Sequence, residues 1–220
     1  VNAVHTNQAQ VTSPDDDVPP MSVSVTLQQR TSRVFLPLML RTEPPPPPPP
    51  PETSYRVAFQ RQDQPGNLEV YAVNADGTEL LNISNMAGGD ASPQFSPDGT
   101  KIAWVHFQNG VGEIMVLNED GSGRVNVSNH PKDDRGPVWS PDGTKIAFYS
   151  LRQDNRWEIY STNADGSNVQ RLTNRPCQSH DPVWSPDGTK IGFICGLREL
   201  AEVYVMNADG SNWRRLTYDP

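Results

Sequence analysis

The sequence predicts an all-β fold assembled from copies of one unit, and three observations support this prediction. The heptapeptide Ser-Pro-Asp-Gly-Thr-Lys-Ile begins at Ser96, Ser140 and Ser185, at spacings of 44 and 45 residues. A small residue followed by an aromatic residue recurs in step with it. A second marker, Asn-Ala/Glu-Asp-Gly, begins at Asn74, Asn118, Asn163 and Asn207. A period near 44 residues is typical of the four-stranded blade of a β-propeller.

Each unit contains four short strands joined by turns, and the copy nearest the C-terminus shows them best. Alternating and β-branched residues predict strands over 182–184, 190–195, 202–206 and 213–217. Ser-Pro-Asp-Gly links the first two strands, because proline presets a turn and glycine accepts the left-handed conformation that closes it. Asn-Ala-Asp-Gly links the last two, since Asn and Asp side chains bond the local backbone. The most conspicuous motifs are therefore predicted to be turns.

These residues resemble a known repeat. Trp-Ser-Pro-Asp-Gly-Thr-Lys-Ile-Gly-Phe from Trp184, and Val-Tyr-Val-Met-Asn-Ala-Asp-Gly-Ser from Val203, are similar to the PD40, or WD40-like, repeat of TolB-like propellers. The resemblance covers residues 55–220, which we interpret as TolB-like β-propeller repeats. It implies a partner protein bound at the channel mouth and a periplasmic, secreted or cell-surface location. Similar propellers also accompany peptidase domains and occur in polysaccharide lyases, so the repeat alone does not define a function.

The number of predicted strands leaves the first unit incomplete. About four blades are present, and the first lacks its first strand because no Trp-Ser-Pro-Asp-Gly equivalent precedes Tyr55. A closed ring hides the strand edges that otherwise pair with other chains. We therefore expect these blades to belong to a larger ring of six or seven blades, or to a ring that closes by oligomerisation.

The residues before the repeats have a different composition. Residues 1–43 are polar and without strand or helix periodicity, which predicts a disordered segment. Residues 44–54 contain eight consecutive prolines and predict a polyproline linker that holds the propeller away from an envelope tether. The longest apolar run, 34–40, is too short for a membrane helix and contains a proline. We expect no membrane span.

Charge and motifs exclude several functions. The net charge of −8, without a cluster of Lys and Arg, argues against nucleic acid as a partner. No Gly-x-Ser-x-Gly elbow, phosphate-binding loop or zinc-type His and Cys spacing occurs. The Asn-x-Asp-Gly-Ser clusters lack the spacing of a calcium loop. We therefore expect no cofactor, no metal and no catalytic residue, and interpret the chain as a non-enzymatic scaffold.

The candidate binding surface is the rim formed by the loops that precede each first strand. These loops, 86–92, 129–136 and 174–181, differ between units while the repeated frame stays fixed. Propellers bind where such loops converge at the end of the central channel. The alternative is that their charged residues are simply solvated. The predicted binding residues are Asp90, Asp134, Arg135, His180 and Asp181.

Two further questions remain open at the level of sequence. Cys177 and Cys195 fall at the same end of one predicted blade, so they either form a disulfide in an oxidising compartment or stay free thiols. The leading functional hypothesis is a protein-binding propeller of the bacterial envelope or exterior. The alternatives are the accessory or substrate-gating propeller of a larger peptidase or polysaccharide lyase, and a propeller that binds carbohydrate at its mouth.

Overall fold

The structure is a computed structural model, and it describes residues 56–64, 67–153, 155–174, 177–196 and 201–218. The predicted disordered segment 1–43 and the polyproline linker 44–54 lie outside these residues. The described residues form antiparallel β-sheets, in agreement with the predicted all-β class. They contain no helix long and apolar enough to cross a membrane.

The strands group into four sheets that follow one another along the chain, and we call them blades 1 to 4. Blade 1 contains β1 (Arg56–Gln64), β2 (Asn67–Asn74) and β3 (Leu81–Asn82). Blade 2 contains β4 (Gly89–Phe95), β5 (Lys101–Gln108), β6 (Val111–Asn118) and β7 (Val125–Asn126). Blade 3 contains β8 (Asp134–Trp139), β9 (Lys145–Ser150), β10 (Glu158–Asn163) and β11 (Gln170–Arg171). Blade 4 contains β12 (Ser179–Trp184), β13 (Lys190–Cys195), β14 (Glu202–Asn207) and β15 (Arg214–Arg215).

Strand order within the blades confirms the predicted unit. In blades 2 to 4 the four strands pair in chain order, whereas the described part of blade 1 has three strands. The first strands of blades 2, 3 and 4 contact one another in succession. In blades 2 to 4 the two repeated turns therefore lie at one end, which we call the turn end, and blade 1 has the second of these turns, at 74–77, at the same end. The opposite end, where the first strands begin at Gly89, Asp134 and Ser179, is the entry end.

The hydrophobic core lies between neighbouring blades. Trp104 of blade 2 is completely buried against Val70 and Ile83 of blade 1. Phe148 and Phe193 occupy the same position in blades 3 and 4 and are also buried. The repeated aromatic residues of these second strands therefore pack between blades. Truncating any one of them to alanine is expected to cost about 3–5 kcal/mol of stability.

A repeated polar bond, which the sequence analysis missed, closes each blade at the entry end. Ser84 Oγ donates to Glu69 Oε2 at 2.6 Å and accepts a bond from the Val70 amide at 2.9 Å. Each later blade repeats both bonds, so every third strand is tied to the residues after its fourth strand. The equivalent pairs are Glu113 with Ser128, Glu158 with Thr173, and Glu202 with Thr217.

Candidate functional site

Each first strand of blades 2 to 4 contains a β-bulge shortly after its start. The register against the second strand shifts between Arg135 and Val138, and at the equivalent places in β4 and β12. The bulged residue is left-handed, and the three are Ser92 (φ 54°), Gly136 (φ 60°) and Asp181 (φ 51°). A bulge bends and twists its strand, so it re-aims the side chains beside it. The last residues of the predicted loops 86–92, 129–136 and 174–181 are consequently the first residues of β4, β8 and β12.

The structure corrects the prediction for Asp90 and Asp134. Both were expected on an accessible rim, yet both side chains are completely buried. They are the second residue of β4 and the first of β8, and the bulge that follows leaves them facing the second strand of their own blade. Asp90 pairs in register with His106, and Asp134 with Ser150. The two carboxyl groups therefore belong to the interior of the entry end and do not offer a contact surface.

Blade 2 holds its buried carboxylate with two ring nitrogens. Trp104 Nε1 donates to Asp90 Oδ1 at 2.7 Å, and His106 Nδ1 lies 2.9 Å from the same oxygen. The His106 side chain is itself only 7% exposed. These contacts tie the start of β4 to β5. A buried carboxylate is stabilised in this way only when donors replace the water that it has lost.

In blade 3 the buried carboxyl group is that of Asp134, and its partner is an arginine. Arg152 Nη2 donates to Asp134 Oδ2 at 3.0 Å, and the Arg152 side chain is 10% exposed. Asp134 Oδ1 has no hydrogen-bond donor among the described residues. Burial, more than any other cause, raises the pKa of Asp134 to about 6, although Arg152 and nearby serine hydroxyls favour the charged form. This carboxyl group therefore titrates near neutrality.

Blade 4 uses a covalent link at the equivalent place. Ser179 replaces the aspartate and is fully buried, and Cys195 is its partner in register. The structure joins Cys195 to Cys177 in a disulfide, with Cα atoms 5.5 Å apart. This pairing is the first of the two alternatives that the sequence left open. The start of the first strand is thus held by ring nitrogens in blade 2, by an arginine in blade 3 and beside a disulfide in blade 4.

The accessible part of the entry end is dominated by Arg135. Its guanidinium carbon lies 5.3 Å from the ring centroid of Phe107 and 5.6 Å from that of Trp157. Its side chain remains 42% exposed. Asp133 accepts from Arg135 Nη2 at 2.7 Å and from the Gly112 amide at 2.8 Å. An arginine held between two rings and fixed by an anchored carboxylate presents a preorganised surface.

His180 joins the same surface through Tyr149. The Tyr149 ring meets Trp157 edge-on at 5.0 Å and His180 at 6.2 Å. Asp181 Oδ2 lies 3.0 Å from His180 Nδ1, and Asp181 is well exposed. Burial raises the pKa of Tyr149 above its ordinary value, so its hydroxyl stays neutral. We call Phe107, Arg135, Tyr149, Trp157 and His180 the rim cluster.

Three members of the rim cluster were missed from the sequence. Phe107, Tyr149 and Trp157 do not recur as aromatic residues in every unit, whereas the prediction of the repeat depended on aromatic residues that do recur. Trp157 falls where blade 2 has Gly112, immediately before the repeated glutamate of the third strand. An aromatic residue that breaks the repeat was the available signal. Of the predicted residues, Arg135 and His180 belong to the rim cluster, Asp181 lies at its edge, and Asp90 and Asp134 are buried.

A cleft of about 520 Å³ lies at the turn end between blades 3 and 4. Trp184 lines it with three aspartates, and Ser140 Oγ donates to one of them, Asp142, at 2.6 Å. The others, Asp187 and Asp209, bond within their own turns in the same way. The cleft therefore follows from the turn architecture. Within the described ranges no three His, Cys, Asp or Glu side chains are arranged to hold a metal ion.

Consecutive antiparallel blades with a core between them and variable loops at one end define a β-propeller repeat protein. Residues 52–220 match the family described as the TolB beta propeller domain, and the chain belongs to this family. Over 40 residues it is 48% identical to a protein TolB homolog from Chlorobium luteolum, which covers 18% of this chain and 9% of the relative. The chain therefore aligns with only a small part of that relative.

Solved structures show the same fold at lower identity. A putative TolB from Agrobacterium tumefaciens is 23% identical, with a TM-score of 0.63 over 73% of this chain and 60% of its own. A puromycin-hydrolysing peptidase from Mycobacterium tuberculosis is 18% identical, with a TM-score of 0.59 over 75% of this chain and 29% of its own. An oligogalacturonate lyase in complex with manganese is 18% identical, with a TM-score of 0.59 over 74% and 50%. The fold is thus shared by a putative TolB, by a peptidase and by a lyase.

Proposed function

We propose that this chain is a non-catalytic, protein-binding propeller of the bacterial envelope or exterior, and that the rim cluster is its binding surface. The observation that carries the proposal is the partly exposed Arg135 between the rings of Phe107 and Trp157. Arginine, tryptophan and tyrosine are the residues most enriched at the energetic centres of protein interfaces. The periplasmic, secreted or cell-surface location and the tether follow from the resemblance to TolB-like propellers and from the predicted linker.

The chemistry of the surface favours a folded protein over a small charged ligand. The aromatic rings supply apolar contact area at a small entropic cost, because each has few rotatable bonds. Charges of both signs surround them, with Lys132 and Arg135 beside Asp133 and Asp181. An apolar centre inside a mixed polar border is the usual composition of a protein interface. Arg135 is the residue whose truncation is expected to weaken binding most.

Site-specific photo-crosslinking tests this proposal. A benzoylphenylalanine is introduced at Lys132, an exposed residue beside the rim cluster, and in a second protein at Glu119, an exposed residue at the turn end. Each protein is irradiated in cells of the source bacterium. We expect discrete protein adducts from position 132, and we expect Arg135→Ala to reduce their yield by at least about tenfold, which corresponds to about 1.4 kcal/mol. Adducts that form only at position 119, or that survive Arg135→Ala unchanged, would contradict the proposal.

A second candidate function is the accessory propeller of a larger peptidase or lyase. Similarity to a peptidase and to a lyase of known structure favours it. The gene sequence beyond Pro220 separates the two candidates. A Gly-x-Ser-x-Gly elbow there would favour a peptidase, whereas further repeats alone would favour a binding protein. For the carbohydrate alternative, binding on a glycan array that disappears in Arg135→Ala would place a sugar at the rim cluster.

A further inference from the structure

Arg152 connects three separate segments at the entry end. Its Nη2 donates to the carbonyl of Ser128, which follows β7, at 3.3 Å and to Asp134 of β8 at 3.0 Å. Its Nε and its backbone amide bond to Ser150 Oγ, at the end of β9, at 3.0 and 3.1 Å. The guanidinium also lies 4.9 Å from the ring centroid of Tyr160. One buried side chain therefore fixes both ends of the loop between β7 and β8.

This loop determines where the rim cluster stands. Asp134 directly precedes Arg135, and the carbonyl of Asp133 accepts a bond from the Leu151 amide at 3.0 Å. Asp133 in turn anchors the Arg135 guanidinium at 2.7 Å. A displacement of the loop would therefore move Arg135 away from Trp157. Among the bonds that Arg152 forms with Ser128, Asp134 and Ser150, the one to Asp134 is an ion pair, and it is expected to be the strongest.

The charge of Asp134 is poorly stabilised by its surroundings. Arg152 faces it from the segment after β9, but Glu113 of β6 repels its negative charge. His130 lies near Arg152 and Glu113, and burial and the Arg152 charge lower its pKa. From β10, Tyr160 faces Asp134 and Arg152, and Glu158 lies near Tyr160. With one oxygen lacking a donor among the described residues, Asp134 has a pKa raised to about 6.

We infer that Arg152 positions the rim cluster only while Asp134 is ionised, so that mild acidification releases the loop between β7 and β8 and weakens binding at the rim. When Asp134 accepts a proton, its Coulombic attraction to the Arg152 guanidinium is lost, and Arg152 Nη2 faces a neutral carboxyl group that is a weaker acceptor. The position of Arg152 then depends mainly on its bonds to Ser128 and Ser150. The effect on binding rests on the proposed function, whereas the movement of the loop does not.

Fluorine NMR of the full chain labelled with 5-fluorotryptophan tests the movement. The Trp157 and Trp213 resonances are assigned with Trp157→Phe and Trp213→Phe. We expect the Trp157 resonance to shift with a midpoint near pH 6 and the Trp213 resonance, in blade 4, to stay constant. The midpoint should disappear in Asp134→Asn and in Arg152→Gln, and Arg152→Lys should restore it in part. A Trp157 resonance that does not titrate, or that titrates unchanged in Asp134→Asn, would overturn the inference.

Two controls make the result specific. Histidine is the side chain type that most commonly titrates in this pH range, and two histidines lie near Asp134 or in the rim cluster, so His130→Gln and His180→Gln should each leave the midpoint in place. If Asp134→Asn fails to fold, Asp134→Ser takes its place, since blade 4 carries Ser179 at this position. Either histidine variant that abolishes the midpoint would assign the titration to that histidine and overturn the role of Asp134.

The crosslinking yield at position 132 tests the effect on binding. The ionised fraction of a group with a pKa near 6 falls about tenfold between pH 7.5 and pH 5, so the yield should fall about tenfold as well. Asp134→Asn should give the low yield at both pH values. A yield independent of pH would overturn the inference for binding. If position 132 gives no adduct at any pH but the Trp157 resonance still shifts near pH 6, the proposed function is contradicted. The inference that Asp134 and Arg152 position the loop is then still supported.

Discussion

The turn end and the entry end of the blades are built from the same repeated strands, yet they are stabilised in opposite ways. At the turn end each Ser-Pro-Asp-Gly turn forms the same bonds, and the threonine amide donates to the aspartate at 3.0–3.1 Å in all three copies. At the entry end the equivalent buried position is Asp90, Asp134 or Ser179. The turn end thus has one chemistry in every copy, whereas at the entry end the buried position at the start of the first strand is held differently in each of blades 2 to 4, in addition to the repeated Glu–Ser/Thr bond.

This difference indicates that the turn end determines the fold, whereas the entry end carries the residues that can vary with function. Repeated turns form locally, so they fix the hairpins without depending on neighbouring blades. Each of these contacts connects the start of a first strand to the second strand of its own blade or, in blade 3, to the segment just after it, and the contact can therefore differ between blades without changing the fold. A repeat protein places its variable residues on one face in this way. Arg135 and Trp157 lie on that face.

The largest effect that distinguishes the two ends is expected from the disulfide. Cys177 and Cys195 are 18 residues apart, and a crosslink of this length stabilises a fold by about 3 kcal/mol, mainly by restricting the unfolded chain. Reduction should therefore lower the thermal midpoint by about 6–12 °C, as measured by circular dichroism with and without dithiothreitol.

The double variant Cys177→Ser/Cys195→Ser is the control for reduction, and its midpoint should not respond to dithiothreitol. Hydrogen exchange should increase around Ser179 at the entry end of blade 4 and remain unchanged around Ser185 at its turn end. Equal midpoints for the oxidised and reduced protein would show that the two cysteines do not stabilise the fold through a disulfide.

A smaller effect is expected when an alanine replaces a left-handed glycine at each end of blade 3. At Gly136 an added Cβ would lie 2.4 Å from Tyr149 Cε1, whereas at Gly143 the nearest atom would be Pro97 Cδ at 3.7 Å. Both positions have positive φ, so both variants pay a backbone cost of about 1 kcal/mol.

Only Gly136→Ala adds a clash within the rim cluster, and we expect a total loss of about 2–3 kcal/mol for it in urea denaturation. It should also shift the fluorine resonance of Trp157, which Gly143→Ala should leave in place. Equal losses for the two variants would mean that Tyr149 moves aside without cost, and that the rim cluster is less tightly packed than its geometry indicates.

The sequence predicted most of the fold because turn chemistry is local. Proline and glycine in the repeated heptapeptide, with the second marker, located the hairpins, and the third strand over 202–206 was correct to within one residue. The first strand of blade 4 was predicted to begin at residue 182, but it begins at Ser179. The intervening bulge was missed because Asp181, which is not a glycine, adopts the left-handed conformation there.

The candidate site was predicted less well for a related reason. The loops were correctly identified as variable, but which of their residues face solvent depends on the bulge. Asp90 and Asp134 appear polar and accessible in the sequence, yet both are buried. Arg152 and Trp157 come from a different connection, between β9 and β10, and they reach the site only through the tertiary structure. Local sequence patterns contain no information on such contacts.

The smallest predicted effect, on the dependence of stability on pH, sharpens the comparison because its sign differs between the two ends. At the turn end, bonds from Ser185 and then Thr189 lower the pKa of Asp187 to about 2, so its stabilising contribution is complete above about pH 4 and is lost as the pH falls towards 2. At the entry end, burial raises the pKa of Asp134 to about 6. The native state then binds more protons than the unfolded state between about pH 4 and pH 6, so the contribution of Asp134 to stability decreases as the pH rises through that range.

Urea denaturation at pH 2.5, 4.5 and 7 tests both signs. Between pH 4.5 and pH 2.5, wild type should lose more stability than Asp187→Asn. Between pH 4.5 and pH 7, wild type should lose more stability than Asp134→Asn. Slopes of the same sign for both variants would show that the charge of Asp134 is stabilised like that of a turn aspartate, and Arg152 would then hold the rim cluster equally well at pH 5 and pH 7.5.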